Sequence, residues 1–249
     1  MQFDILTLFP DVIHHYSSES ILGRAQDKKL IAIKAHNFRK HSDNKWGHID
    51  DKPYGGGPGM VIQVGPVFET LRTIKAIKAK FPKGKKGSLK IEKVGPITKI
   101  IIMDPAGKKF DQRLAEKFAK LERLVIIAGR YEGFDARIYK LADERVSIGD
   151  FVLAGGELPA LAIVEATARL LPGVLGNEAS LAEETFGRTP QRALPTGRQS
   201  ATNKHTDDKE TIKEYPQYTR PENFYGWKVP AVLLSGDHKK IADWRKKNS

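Results

Sequence analysis

The chain of 249 residues contains no cysteine. That excludes disulfides, a thiolate nucleophile and thiolate-ligated zinc, and it fits a reducing compartment. Long apolar runs are missing too: none approaches the ~18 residues needed to cross a bilayer. The opening segment MQFDILTLFPD carries an acid at position 4 and no basic stretch, so no secretory leader is expected. Together these absences lead to the expectation of a cytoplasmic protein with no membrane partner. The standard phosphate cradles are also absent. Neither GxxxxGK(S/T) nor a helix-opening GxGxxG occurs, and GGGPGM has Met60 where a third glycine would stand. No GxSxG nucleophile elbow is found. Apart from the adjacent His14 and His15, the histidines are scattered, and no metal ligand set is read from them.

Forty per cent of the residues are hydrophobic, enough for a real core. The length suits one large domain, or one large and one small. The formal net charge is +12. A polyanionic partner, nucleic acid first, is the expectation; charge that serves solubility alone is the plainer alternative. The charge is unevenly placed. Between Lys75 and Lys93 lie eight lysines and one acid, interrupted by Pro82, Gly84 and Gly87. This reads as an exposed, weakly structured basic loop or insertion, which either tracks phosphates or is a solvated spacer.

Phe3–Leu8 and Ile31–His36 read as strands, and Ser20–Asp27 as a helix with Ser20 its cap candidate. Asp50–Met60, DDKPYGGGPGM, has four glycines and two prolines in eleven residues. Neither helix nor central strand survives that, so it is a shaped loop. From Lys99 the pattern is strand, helix, strand. Lys99–Asp104 ends at a turn, Pro105-Ala106-Gly107. Asp111–Glu122 places Leu114, Phe118 and Leu121 on one helical face, with Asp111 as cap. Arg123–Gly129 and Arg145–Ile148 are further strands, and Leu158–Leu171 is a strongly apolar helix. Uninterrupted apolar strands belong to parallel sheets covered on both faces, so the fold class is α/β. After Gly176 the chain turns polar, and 187–213 reads as a mobile linker. The last 35 or so residues, aromatic and then basic, are too few for a robust core of their own.

Three loops leave the carboxyl ends of the strands: MDPAGKK, AGRYEG and SIGDFVLAGGE. Open α/β sheets bind ligands just outside those ends. One glycine there usually makes only a turn; three loops converging from one edge point to a ligand. Ile148, Phe151, Val152 and Leu153 beside exposed backbone suit an adenine-like ring better than a pyrophosphate. Glu132, Asp135, Asp150 and Glu157 flank the loops. They are candidates for a general base, with caps or ion-pair partners the plainer role.

At these residues a resemblance becomes specific. GRYEGFD, SIGDFVLAGGELPAL and LPGVLGNEAS, in this order, resemble the bacterial tRNA (guanine-N1)-methyltransferases that modify guanine 37. FDILTLFPD, DDKPYGGGPGM and YTRPENFYGWKVPAVLLSGDH are also similar to that family's signatures. The likeness runs from Met1 to about Arg245, broken at the Lys-rich stretch (about 81–97) and at the long linker. It implies a SPOUT-type parallel sheet with a deep trefoil knot in 1–176, a flexible linker over 177–213 and a short, mainly helical tRNA-binding domain over 214–249. It further implies a homodimer with active sites shared between subunits, S-adenosyl-L-methionine as cofactor, and an association of Mg2+ with the activity. The product would be 1-methylguanosine at position 37 where guanine 36 precedes it.

By motif matching, the resemblance implies cofactor contacts from Met103, Asp104, Pro105 and Gly107, then Gly129, Tyr131 and Glu132. The third loop would add Ile148, Gly149, Asp150, Phe151, Val152, Leu153, Gly155, Gly156 and Pro159. Arg169 would lie near the reaction. Where the family presents an aspartate as base, this chain has Glu184, with Glu183 beside it as the alternative. The C-terminal domain is shorter than usual, which would shift tRNA affinity toward the Lys-rich stretch. The rival readings are a noncatalytic RNA-binding relative and a methyltransferase of another RNA base.

Overall fold

Consecutive residues of the central strands bury on opposite sides, which is why these strands are apolar without alternation. Ile101, Leu124 and Ile126 belong to one core cluster; Ile100, Ile102, Val125 and Ile127 belong to a second. A strand can present both neighbours to a core only if both faces of its sheet are covered. A computed structural model describes residues 1–80, 89–95, 97–176 and 215–248, and it shows such a sheet.

The sheet is made of β1 (Gln2–Thr7), β2 (Ala32–Asn37), β7 (Thr98–Lys109), β8 (Arg123–Ile127) and β9 (Glu144–Ser147), in the order β2-β1-β8-β7-β9. All four pairings are parallel. The α/β reading from the apolar strands therefore holds. Residues of α1 (Pro10–Ser17), α2 (Ser20–Asp27), α4 (Gln112–Phe118) and α5 (Glu157–Ala168) join the first cluster. Residues of α3 (Val64–Thr73), with Phe38, Ile138 and Leu141, join the second. Two small antiparallel pairs complete the unit: β3 (Asp50–Asp51) with β4 (Val61–Ile62), and β5 (Ile77–Lys80) with β6 (Lys90–Lys93).

Four local expectations change. The turn expected at Pro105–Gly107 is a bulge. Met103 and Lys108 both register with Val146, so the strand loops out and returns to the same partner. Ser20 is not the cap of α2; Glu19 is, with no side-chain cap bond. The helix expected to Glu122 stops at Phe118, because the chain must turn to enter β8: the N–H groups of Glu122 and Arg123 both reach the carbonyl of Ile97. Asp111 does cap that helix, accepting from the Leu114 N–H at 2.7 Å. The arms of the Lys-rich stretch are not loop but the β5–β6 hairpin, since Ile77, Ala79 and Ile91 supply an apolar face that packs on the second cluster.

A carboxylate lies inside this core. Asp4 of β1 is 1% exposed. It accepts from Gln2 and His36 at 2.6 Å and from Arg123 at 2.7 Å. Burial pushes its carboxyl up, but the bonds from His36 and Arg123 outweigh this and hold it below the ordinary carboxylate range. As pH falls, the unfolded chain therefore takes up the proton first. The stabilisation is full above pH ~4 and is lost as pH drops through the lower native value. Asp4→Asn is expected to cost about 3 kcal/mol at pH 7, because the Arg123 guanidinium loses its counter-charge. The gap from the parent should narrow below pH ~4. Urea unfolding at both pH values checks this; an equal gap at both would refute it.

The chain divides into two compact units, Met1–Gly176 and Asn177–Ser249. In the second, β10 (Asn223–Phe224) and β11 (Trp227–Lys228) form a hairpin, followed by α6 (Ala231–Leu234) and α7 (His238–Asn248). No residue from 215 to 248 is fully buried, as expected of so short a segment.

Candidate functional site

Parallel strands deliver their following loops to one edge of the sheet, and here three such loops enclose a cleft of about 260 Å3. Met103, Asp104 and Pro105 come from the β7 bulge. Gly129–Phe134 follow β8. Ser147 closes β9, Ile148 and then Phe151–Gly156 follow it, and Pro159 comes from the first turn of α5. The volume falls just below the roughly 300–1,000 Å3 usual for small-molecule sites.

Close backbone approach explains the glycines that matter. The N–H of Gly156 donates to the carbonyl of Gly129 at 2.8 Å, and Arg130 bridges to Gly155. A Cβ on Gly156 would stand 2.9 Å from the Ala128 Cα and 3.0 Å from the Gly129 nitrogen. A Cβ on Gly129 would meet the Phe134 ring at 2.2 Å. The second and third loops thus interlock backbone to backbone.

A buried ion pair fixes the same junction. Glu157, 1% exposed at the start of α5, accepts from Thr7 Oγ1 at 2.8 Å and from Arg130 Nε at 3.1 Å. The Arg130 guanidinium also lies 4.5 Å from the Phe9 ring centroid. One carboxylate therefore joins the end of β1, the loop after β8 and α5.

The Asp50–Met60 loop packs against the cleft's second loop. The Glu132 N–H donates to the Met60 carbonyl at 3.1 Å. At Gly59, with φ +77°, a Cβ would lie 2.3 Å from the Glu132 Cγ.

The walls are apolar and partly exposed. Val152 is 82% exposed and Phe151 53%. Adjacent open apolar side chains at the mouth of a cleft mark a surface that a ligand covers. Two polar groups accompany them. Asp104 accepts from the Ala106 N–H at 2.8 Å. Burial, with Asp104 beside it, pushes the Tyr139 phenol up and keeps it a hydrogen-bond donor.

Of the expected cofactor residues, the cleft brings together Met103, Asp104, Pro105, Gly129, Tyr131, Glu132, Ile148, Phe151, Val152, Leu153, Gly155, Gly156 and Pro159. Gly107, Gly149 and Asp150 do not line it. Gly107 instead lets the bulge lie on β9, where a Cβ would meet the Val146 nitrogen at 2.5 Å. Asp150 pairs with Lys109 at the surface. Arg169 also lies elsewhere, in a groove with Tyr16, Leu158 and Leu161. Glu184 and Glu183 lie outside the described residues. Among the flanking acids, Glu157 and Asp135 are ion-pair partners, of Arg130 and Arg137. Hydrogen bonds from Arg137 hold the Asp135 carboxyl below its ordinary range, which makes it a poor base near neutral pH. Sequence reasoning missed Arg130, Phe134 and Tyr139. Arg130 was legible inside GRYEG; Tyr139 had no local signal, since a separate 3-10 turn, Ile138–Leu141, brings it in.

A doubly covered parallel sheet with glycine loops around a cleft at its carboxyl edge defines an α/β protein with a candidate ligand site at that edge. The family described as tRNA (Guanine-1)-methyltransferase TrmD matches residues 1–249. A tRNA (guanine-N(1)-)-methyltransferase of Limosilactobacillus fermentum is 42% identical over 250 residues, covering 100% of this chain and 85% of the relative. Proteins of the same name from Geobacillus kaustophilus and an Anaeromyxobacter species are each 43% identical, covering 100% of this chain and 86% of the relative. The chain belongs to the tRNA (guanine-1)-methyltransferase family.

Proposed function

We propose that this chain transfers a methyl group from S-adenosyl-L-methionine to N1 of guanine 37 in tRNAs where guanine 36 precedes it, giving 1-methylguanosine and S-adenosyl-homocysteine. The carrying observation is the three-loop cleft in a chain whose whole length matches the family. The residues present fit the cofactor. Ile148, Leu153 and Pro159 offer apolar contact to an adenine ring, and the glycines at 129, 155 and 156 bring backbone groups close. Bound there, the cofactor supplies an electrophilic methyl group on a sulfonium.

The chain's own task is to hold the guanine in line with that methyl and to take the N1 proton. Glu184 is the base in this reading, with Glu183 the alternative. Arg169 stabilises the charge that develops on the guanine. Since Arg169 lines a groove with Tyr16 and Leu158 rather than the cleft, this role needs a second copy to complete the site. A homodimer through the exposed apolar residues Val12, Tyr16 and Leu158 would supply it. The interlocked second and third loops support the SPOUT trefoil knot in 1–176. In the same reading 177–213 is a linker and 214–249 a tRNA-binding domain. For Mg2+, no group of three potential ligands stands together among the described residues, and the proton transfer and methyl alignment above do not call on it. Among those residues no helix is long and apolar enough to cross a membrane.

The test is incubation with labelled cofactor and tRNA transcripts carrying guanine or adenine at position 37. Label should enter only the guanine transcript. Label in both, or in neither, defeats the reading.

A further inference from the structure

The Lys-rich stretch presents a built face. In the β5–β6 register, Ile77 opposes Lys93, Lys78 opposes Glu92, Ala79 opposes Ile91 and Lys80 opposes Lys90. Opposed residues share a side, and successive residues switch sides. Ile77, Ala79 and Ile91 pack on the core. Lys78, Lys80 and Lys90 fall together on the outer side and are exposed. With them stands one acid, Glu92, bonded to Lys80 at 2.6 Å. The hydrogen bond from Lys80, and then the charges of Lys78 and Lys90, hold its carboxyl below the ordinary range. Three lysines against one glutamate leave this face positive.

Lysine on an exposed strand edge blunts unwanted pairing. That explains lysine there, but not Lys80 placed directly across from Lys90. Like charges opposed across a ladder weaken a hairpin, so solubility alone gives no reason for the pair. The hairpin is also anchored. The N–H of Val94 donates to the Ala76 carbonyl at 3.4 Å, and Arg123 Nη2 donates to the Ile74 carbonyl at 2.8 Å. The inner face is fixed on the core, so the lysines form an ordered array on flexible stems. Arg123 opens β8, which puts the hairpin's root at the amino-terminal edge of the sheet. The cleft lies at the other edge, roughly 15 Å along the strands.

We infer that the outer face of the β5–β6 hairpin, Lys78, Lys80 and Lys90, is a second tRNA contact that grips the phosphate backbone away from the modified nucleotide. It adds affinity without entering the chemistry, and it rests on the proposed function above.

The experiment compares the full chain with the triple variant Lys78→Gln, Lys80→Gln, Lys90→Gln in tRNA binding across a salt series. The slope of log K against log salt should become shallower by about 2 to 3, at ~0.7–0.9 for each phosphate no longer neutralised. KM for tRNA should rise, while kcat at saturating tRNA and the cofactor Kd stay unchanged. Arginine at the same three positions should restore the slope, which a folding lesion would not allow. An unchanged slope in the glutamine variant, with the parent methylating tRNA normally, overturns the inference. A parent that fails to methylate tRNA strikes the proposed function instead.

Discussion

Glu184→Gln is expected to lower kcat for methyl transfer to guanine 37 by about 10²–10⁴-fold. The amide has nearly the shape of the carboxylate but cannot accept a proton at neutral pH. The N1–H bond of guanine must break as the methyl arrives, so losing the acceptor removes a stabilisation made only in the transition state. Cofactor binding should change little, since the described residues of the three-loop cleft supply the apolar and backbone contacts proposed for the cofactor. Glu184→Asp should recover much of the rate, limited by the side chain's shorter reach. Glu183→Gln, one position away, should behave like the parent. Single-turnover label transfer with tRNA in excess reads all three. Full activity in Glu184→Gln sinks the assignment, and loss in Glu183→Gln alone moves the base by one residue.

Gly156→Val is expected to weaken cofactor binding on the order of 100-fold. The reason is contact, not backbone conformation. Gly156 has φ −87° and ψ 0°, a region open to any residue. Its missing Cβ leaves room for two backbone atoms, the Ala128 Cα at 2.9 Å and the Gly129 nitrogen at 3.0 Å. Neither can rotate away as a side chain would. Valine would push the start of α5 off the loop after β8, break the bond from its own N–H to the Gly129 carbonyl, and widen the cleft proposed to hold the ring. Glu157 is the next residue, so its bonds to Thr7 and Arg130 would stretch as well. Calorimetric titration with cofactor gives the measurement. An unchanged Kd would mean that the interlocked loops do not form the cofactor wall.

Both predictions rest on features of unequal legibility. The apolar strands, Asp111 as a helix cap and the three loops at one sheet edge are readable from hydrophobic runs and turn residues, because those signals are local. Motif resemblance then assigns most of the cleft. It fails to separate residues that line the space from those that shape it: Gly107 and Gly149 belong to the same loops but stand outside the cleft. Spacing along a loop does not say which way each backbone group faces. The Lys-rich arms read as loop because lysine dominates them. The three apolar residues that tie them to the core are spread over two strands, and only pairing brings them to one face.

By itself, then, the sequence determined the parallel α/β character, the cysteine-free chemistry and the edge of the sheet that holds the ligand loops. Each of these depends on composition or on runs of neighbouring residues. The tertiary structure decided the rest. It turned the bend expected at Pro105–Gly107 into a bulge within β7, joined Thr7 and Arg130 on Glu157, brought Tyr139 into the cleft, and sent Arg169 to a different groove. These depend on contacts between residues far apart in the chain, as with Thr7 and Glu157, 150 positions apart. Such contacts form because a buried carboxylate such as that of Glu157 must find its partners within the packed interior, and these come from distant parts of the chain.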